Sequence, residues 1–218
     1  MSNQYCQAET TSSSLEYISR VELNGVQSIS GSSTYSDFTD APLTSINRGT
    51  TYTLFVDGTT NGDYREYVVA WIDFNNDKEF ADNEKIDFGS HTFFGEHTFS
   101  GEFIVPSDSV LADLRMRVYL KFGSSPMQCE NAEFGEVEDY VVSVISDTTP
   151  PSMWVSDYGV GYVEAGDNAN IKVNVYDQSR ISYVNSIIKD FDDNNIGNIE
   201  LYDDGNHDDG EANDNIYA

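Results

Sequence analysis

The chain has 218 residues, of which 38 are Asp or Glu and 11 are Lys or Arg, for a formal net charge of −27. Such a chain repels phosphate backbones and anionic headgroups, which excludes nucleic acid as a partner. Aromatics make up 13%, with fourteen Tyr and twelve Phe among many turn-forming residues, so the composition points to all-β structure in two modest domains.

The first residues, MSNQYCQAET, lack a basic n-region and an apolar h-region, and no run is long enough for membrane insertion. Met1 therefore reads as an added start on the mature part of an exported, secreted or cell-surface polypeptide. Cys6 and Cys129 form no C-x-x-C and no Cys/His cluster, so a thiolate zinc site has no ligand set. A disulfide is the natural reading and two buried thiols the alternative.

In chain order, EYISRVEL and VQSI flank Asn24-Gly25, the signature of a two-residue hairpin. TYTLFVD, YREYVVAWIDF, HTFSGEFIVP, LRMRVYLKF and VEDYVVSVI follow as strands. In LRMRVYLKF, Leu114, Met116, Val118 and Leu120 alternate with Arg115, Arg117, Tyr119 and Lys121, the pattern of a half-buried strand. No segment carries a sustained helical period, so the strands must pack sheet on sheet. The predicted first domain covers residues 1–146. Residues 147–151, within SDTTPPSMW, read as a linker, because paired prolines cannot continue a central strand. Residues 152–218 (SMWVSDY, ANIKVNVYD, ISYVNSII, NIELYDD) are expected to form a smaller immunoglobulin-like β-sandwich, shorter than that fold's usual length. The chain stops at NDNIYA, where a further strand is expected, and reads as an excerpt of something longer with neighbouring domains.

Three stretches carry chemistry. Numbered from Asp73, the loop after YREYVVAWI places Asn75, Asp77, Glu79 and Glu84 at positions 3, 5, 7 and 12 of a twelve-residue calcium loop. Alternate residues of a tight loop can turn inward together, and a hard cation wants six to eight oxygens. Lys78 stands at position 6, where glycine normally serves the sharp turn, so the loop either tolerates a strained φ or binds more weakly. In AEFGEVEDYVV, Glu136, Glu138 and Tyr140 share one strand face while Val137, Asp139 and Val141 share the other, so an acid points inward on either choice. Its partner is either the calcium of the Asp73 loop, with Glu138 and Asp139 as ligands, or Arg115 and Arg117. In LYDDGNHDDGEANDNIY, Asp203, Asp204, Asn206, Asp208, Asp209 and Asp214 crowd around two glycines, and calcium is the simplest remedy for their repulsion; a flexible acidic turn is the alternative.

His91, His97 and His207 fit no H-E-x-x-H, and G-x-S-x-G, P-loop and G-x-G-x-x-G motifs are absent. Trp154, Tyr158 and Tyr162 read as core and strand aromatics, with stacking on a sugar or a partner as the alternative.

YCQ (5–7), WIDFNNDKEFADNE (71–84), LRMRV (114–118), Cys129 and above all FGEVEDYVV (134–142) resemble the GEVED domain, an accessory module of large secreted and surface proteins of bacteria, over about Tyr5 to Ile145. The resemblance implies a jelly-roll-type β-sandwich, paired cysteines and an acidic loop at Asp73, where the family usually has glycine in the place of Lys78. The tail resembles the acidic turn of immunoglobulin-like modules in similar secreted proteins. Neither module is expected to be catalytic. The sequence thus points to a calcium-stabilised accessory module serving attachment to glycan or extracellular protein, or spacing. A self-associating adhesive or fibre subunit is the second reading, and a glycoside hydrolase with paired carboxylates a remote third.

Overall fold

The computed structural model describes residues 4–154, 170–177 and 181–218. These fall into two units, Met1–Ser146 and Asp147–Ala218. Both are built of β-strands, and the described residues contain no α-helix.

The first unit has strands β1 (Thr10–Ser12), β2 (Glu16–Leu23), β3 (Val26–Ile29), β4 (Tyr35–Asn47), β5 (Thr51–Ile72), β6 (Lys85–Ile104), β7 (Asp113–Phe122) and β8 (Ala132–Ile145). Asn24 and Gly25 join β2 to β3 with φ of 51° and 73°, the left-handed pair that a primed two-residue turn requires. Hydrogen-bonded order runs β1-β8-β7-β5-β2-β3, with β4 added on β8 and β6 on β5. The 22-residue β5 passes from one layer to the other. Its first part pairs with β2 and, after a register slip between Thr60 and Tyr64, its second part pairs with β7, while β6 follows it throughout. TYTLFVD and YREYVVAWIDF are therefore one strand and not two. GSHTFFGEHTF likewise lies within the continuous β6.

Alternation sends Ile18, Leu54, Val56, Val68, Ala70, Ile72, Leu114, Met116, Val118, Leu120 and Val142 into one core, all fully buried. Each of these side chains except Ala70 contributes about 1.5–3 kcal/mol by leaving water. The opposite face of β5, β7 and β8 is covered too: Val69, Trp71, Tyr119 and Val137 pack under Ala8 and Phe80 in a second cluster. The expectation of a half-buried LRMRVYLKF fails at Arg117 and Tyr119, buried at 2% and 0% exposure, because the N-terminal segment lies over them.

The second unit contains β9 (Ser152–Trp154), β10 (Val173–Tyr176), β11 (Val184–Lys189), β12 (Asn195–Leu201) and β13 (Ile216–Tyr217). β10 pairs with β9 and β13, and β11 with β12. Val173, Val175, Val184 and Leu201 form its small core. Within NDNIYA, where a further strand is expected, Ile216–Tyr217 form the two-residue β13. Trp154, expected in a core, is 54% exposed, and Tyr158 and Tyr162 lie outside the described residues.

Candidate functional site

Apart from Glu138, the functional candidates in the first unit lie toward the outer face of β7 and β8, where the N-terminal segment is fastened. Cys6 and Cys129 are disulfide-bonded across a sequence separation of 123 residues, with Cα atoms 5.5 Å apart. The bond lays Tyr5 and Ala8 over the second cluster and brings β1 alongside β8, pairing Thr10 with Ala132 and Ser12 with Phe134 in parallel.

Each residue of the stretch Gly135–Asp139 in β8 has its own task. Gly135 holds φ at 128°, and a Cβ there would lie 2.1 Å from the Leu120 carbonyl oxygen, so only glycine fits. Gly135→Ala should therefore cost the unit about 2–4 kcal/mol, read as a lower urea midpoint; a loss below ~0.5 kcal/mol would contradict this packing. Glu136 and Glu138 point into the sandwich, both fully buried. Glu136 accepts the Ile18 N–H of β2 at 3.0 Å and the Ser36 hydroxyl of the neighbouring β4 at 3.2 Å. Glu138 accepts the Tyr140 hydroxyl at 2.7 Å. Burial, with the Glu138 charge adding, pushes Glu136 up to about 8, and burial pushes Glu138 up to about 7. Val137 fills the outer cluster.

Asp139, 1% exposed, turns to the outer face. Arg117 grips it with two parallel bonds, Nε to Oδ1 at 2.7 Å and Nη2 to Oδ2 at 2.8 Å, while Arg115 Nη1 and the Tyr35 hydroxyl each donate to Oδ2 at 3.1 Å. Arg117 also donates to the Gln128 carbonyl at 2.8 Å and lies over the Phe80 ring. Burial and the Asp139 charge push the Tyr35 hydroxyl up to about 12. The arginines hold the acid of the outer face, Asp139, while the inward Glu136 and Glu138 accept from Ile18, Ser36 and Tyr140 and not from arginine. The assignment of Asp139 and Glu138 as calcium ligands is thus corrected: one is taken up by guanidinium groups and the other faces the opposite side of β8.

The acidic loop sits beside this ion pair. Asp73, fully buried, accepts the Asp77 N–H at 3.1 Å on Oδ1 and the Lys78 N–H at 3.1 Å on Oδ2, with the Tyr5 hydroxyl also donating to Oδ2. Tyr5 stacks on Phe80 and lies between Lys78 and Arg115. Glu84, at the end of a 3-10 turn (Asp82–Glu84), accepts the Ala81 N–H at 2.9 Å and the Asn75 N–H at 3.4 Å. Burial raises its pKa, with Asp73 and Asp77 adding to the effect. Lys78 takes φ 72°, so the position that usually carries glycine is in the left-handed region and the loop bears that strain.

Asn75, Asp77 and Glu79 project toward solvent: Asn75 Nδ2 donates to Asp77 at 2.9 Å, and Asp77 Oδ1 accepts the Glu79 N–H at 2.9 Å. Donor types, spacing and turn suit a hard cation. The side chains as placed do not yet converge, for among the described residues no three His, Cys, Asp or Glu side chains gather as a metal cluster.

The tail acids accept mostly backbone N–H groups. Asp203 accepts the N–H groups of Asp214 and Asn215, Asp209 those of Asp204 and Gly205, and Asp214 those of Glu211 and Ile216. Asp204 accepts from the Asn206 N–H and pairs with His207, while Asp208 meets Lys172 at 3.1 Å. Backbone amides and Lys172 offset part of the repulsion among these acids. His207 stacks on Tyr202, and His91 on His97 with ring centroids 4.0 Å apart.

Sequence reasoning missed two inward acids. Glu16 and Glu66 are 2% and 0% exposed; the alternation of Tyr64, Glu66, Val68 and Ala70 already places Glu66 on the core face. Arg20 bonded to Asp57 at 2.6 and 3.0 Å was also overlooked.

The family model of the GEVED domain matches residues 67–143, from the middle of β5 through β7 to the motif strand. No curated protein matches significantly. Among solved structures, a Niemann-Pick type C2 protein from Japanese carpenter ant is 10% identical, with TM-score 0.36, covering 63% of this chain and 98% of that one. The CARDB domain of the PF1109 protein from Pyrococcus furiosus is 11% identical, with TM-score 0.30, covering 66% and 95%. The seventh ScaB type I cohesin from Pseudobacteroides cellulosolvens is 12% identical, with TM-score 0.28, covering 53% and 97%. These likenesses carry no functional argument.

Proposed function

We propose that the chain is a calcium-stabilised, non-catalytic accessory segment of a secreted or cell-surface multidomain protein, serving attachment or spacing. The GEVED match over residues 67–143 fits an accessory module. The observation that carries the calcium reading is the Asp73–Glu84 loop, whose oxygen donors recur at calcium-loop spacing around a residue in the left-handed region. Asp73, Asn75, Asp77 and Glu84 would hold the ion by their side chains and Glu79 by its carbonyl. The ion would neutralise a loop that has only Lys78 to offset it. The disulfide supports an oxidising, extracellular setting. A polar cleft of about 280 Å³ beside the N-terminal segment, lined by Tyr5, Tyr35, Asp37, Arg115 and Asp139, offers hydrogen-bonding groups to a glycan or a protein side chain.

Calcium at a hundredfold excess over Kd should stabilise the fold by about 2.7 kcal/mol, raising Tm by several degrees over the value in EDTA. Asp77→Ala, an exposed donor, should abolish that rise while leaving Tm in EDTA nearly unchanged. Identical melting curves with calcium and with EDTA would remove the calcium reading.

A further inference from the structure

Where β5 slips register, three aromatic rings border a buried acid. A cavity of about 60 Å³ is lined by Leu15, Glu16, Tyr64, Phe122 and Phe134. Tyr64 stands edge-on to Phe122, with ring centroids 5.7 Å apart and planes at 81°, and Phe122 stands edge-on to Phe134 at 6.4 Å and 83°. Successive aromatic walls are therefore nearly perpendicular. Glu16 is 2% exposed, its Oε1 has no hydrogen-bond partner, and no Lys, Arg or His lines the cavity.

The backbone fixes these walls. Glu16 pairs with Thr60 across β2 and β5, and the Asn61 N–H donates to the Leu15 carbonyl at 2.7 Å. Gly62 lies so close to the Tyr64 ring that a Cβ there would meet it at 2.6 Å. Phe134 is held in register with Ser12 of β1. Phe122 is 42% exposed, so the cavity borders solvent.

A carboxylate in this lining is costly unless a cation joins it or a proton neutralises it. A calcium ion wants six to eight oxygens, and the lining side chains offer one carboxylate and the Tyr64 hydroxyl. A primary ammonium brings three N–H donors and meets the same shortage. A quaternary ammonium has no N–H to satisfy, and its charge is spread over methyl groups that the negative faces of aromatic rings attract. A water molecule needs roughly 10–15 Å³, so the cavity takes a group of about four or five heavy atoms. We propose that the cavity binds the quaternary ammonium group of a small organic cation, with Tyr64, Phe122 and Phe134 around the methyl groups and Glu16 as the counter-ion. The formal charge of −27 favours a free cation over a phosphocholine headgroup, whose phosphate it repels. The site shares no residue with the Asp73 loop and does not depend on the calcium reading.

The test is calorimetric titration of the full chain, in EDTA, with tetramethylammonium and with choline. Both should bind with Kd on the order of 1 mM. Glu16→Gln, which keeps the shape and removes the charge, should weaken both at least about tenfold, and Phe122→Leu at least about fivefold. The neutral isostere of choline, with carbon in place of nitrogen, should bind at least about tenfold more weakly than choline. Equal affinity for the isostere would overturn the proposal, since the cavity would then select only apolar shape. Absence of binding, or unchanged binding by E16Q, would overturn it too. Phosphocholine binding as tightly as choline would overturn the assignment to a free cation. Calcium in place of EDTA should leave the affinity unchanged; competition would mean a metal site. Should E16Q fail to fold, Phe122→Leu and the isostere comparison in wild type decide the matter.

Discussion

Arg117→Leu should destabilise the first unit by about 3–5 kcal/mol, among the largest effects of any single substitution in the chain. Asp139 is 1% exposed and Arg117 2% exposed, so the pair stands in a low-dielectric interior where each charge depends on the other. Removing the guanidinium strips Asp139 of its two-pronged partner, leaving Arg115 at 3.1 Å on a single oxygen. It also deprives the Gln128 carbonyl of a donor beside the disulfide and takes the cation from the face of Phe80. The loss is mostly the penalty of a stranded carboxylate and not the intrinsic worth of the pair. The double variant Arg117→Leu/Asp139→Leu should therefore recover part of the stability. Urea unfolding of wild type, both single variants and the double variant measures this. A single-variant loss under ~1 kcal/mol, or a double variant worse than the sum of the singles, would show that the pair is not held as described.

The second large effect is on the pH profile. Glu66 and Glu136 are pushed up to about 8 and Glu138 to about 7, from an ordinary 4.5, in each case chiefly by burial. In the unfolded chain these carboxyls release their protons near pH 4.5, while in the folded chain they keep them until pH 7 to 8. Between those limits the folded state binds more protons, so stability falls as pH rises. The contribution is fully present below about pH 4.5 and lost on passing about pH 8. At about 1.4 kcal/mol per pH unit for each group, reduced by relaxation and water entry, the loss should be on the order of 5 kcal/mol in all. On the acid side Asp57 and Asp87 have the opposite sign. Asp57 is lowered despite its burial by Arg20, and Asp87 by Lys85, so their contributions disappear as pH falls below about 3.8. Stability in EDTA should thus peak near pH 4–5, well below neutrality. Denaturant titrations at pH 5, 6.5 and 8.5 decide the matter: a flat or rising profile would mean that the inward glutamates are neutralised by something other than protons.

Part of this molecule is legible in its sequence. The Asn24-Gly25 hairpin and the alternation of Leu114, Met116, Val118 and Leu120 follow from local chemistry alone, and the structure has both. Asn61-Gly62 carries the same turn signal as Asn24-Gly25, yet β5 runs through it. The ladder slips between Thr60 and Tyr64 at this point, so the turn signal marks the irregularity where β5 changes partners and not a hairpin. β4 escapes notice because YSDFTDAPLTSIN contains Pro and two Asp without alternation, and its pairing is with β8, about a hundred residues away. Periodicity also cannot report that both faces of β7 are buried; the covering layer is the N-terminal segment, fixed by a covalent bond to residue 129.

The acids show the same division. An inward acid in the GEVED strand follows from parity, but the arginines that the sequence offers it are bonded to the acid of the other face, Asp139. That Asp203, Asp209 and Asp214 are turned to backbone N–H groups depends on turn conformations set by left-handed residues such as Asp208 and Asn213, which the residue types alone do not dictate.

The position of the disulfide also has a mechanical consequence. Cys6 precedes β1 and Cys129 precedes β8, the strand by which the chain leaves the unit. A pull applied before Cys6 and after Ile145 would travel through the sulfur bridge straight into β8, bypassing everything between residues 7 and 128. Only the short stretch after Cys129 could lengthen, and β8 is already extended at close to the ~3.3–3.6 Å per residue that a chain can reach. Under tension the unit would transmit load like an almost inextensible link, its sandwich sheltered from unravelling for as long as the bridge stays oxidised.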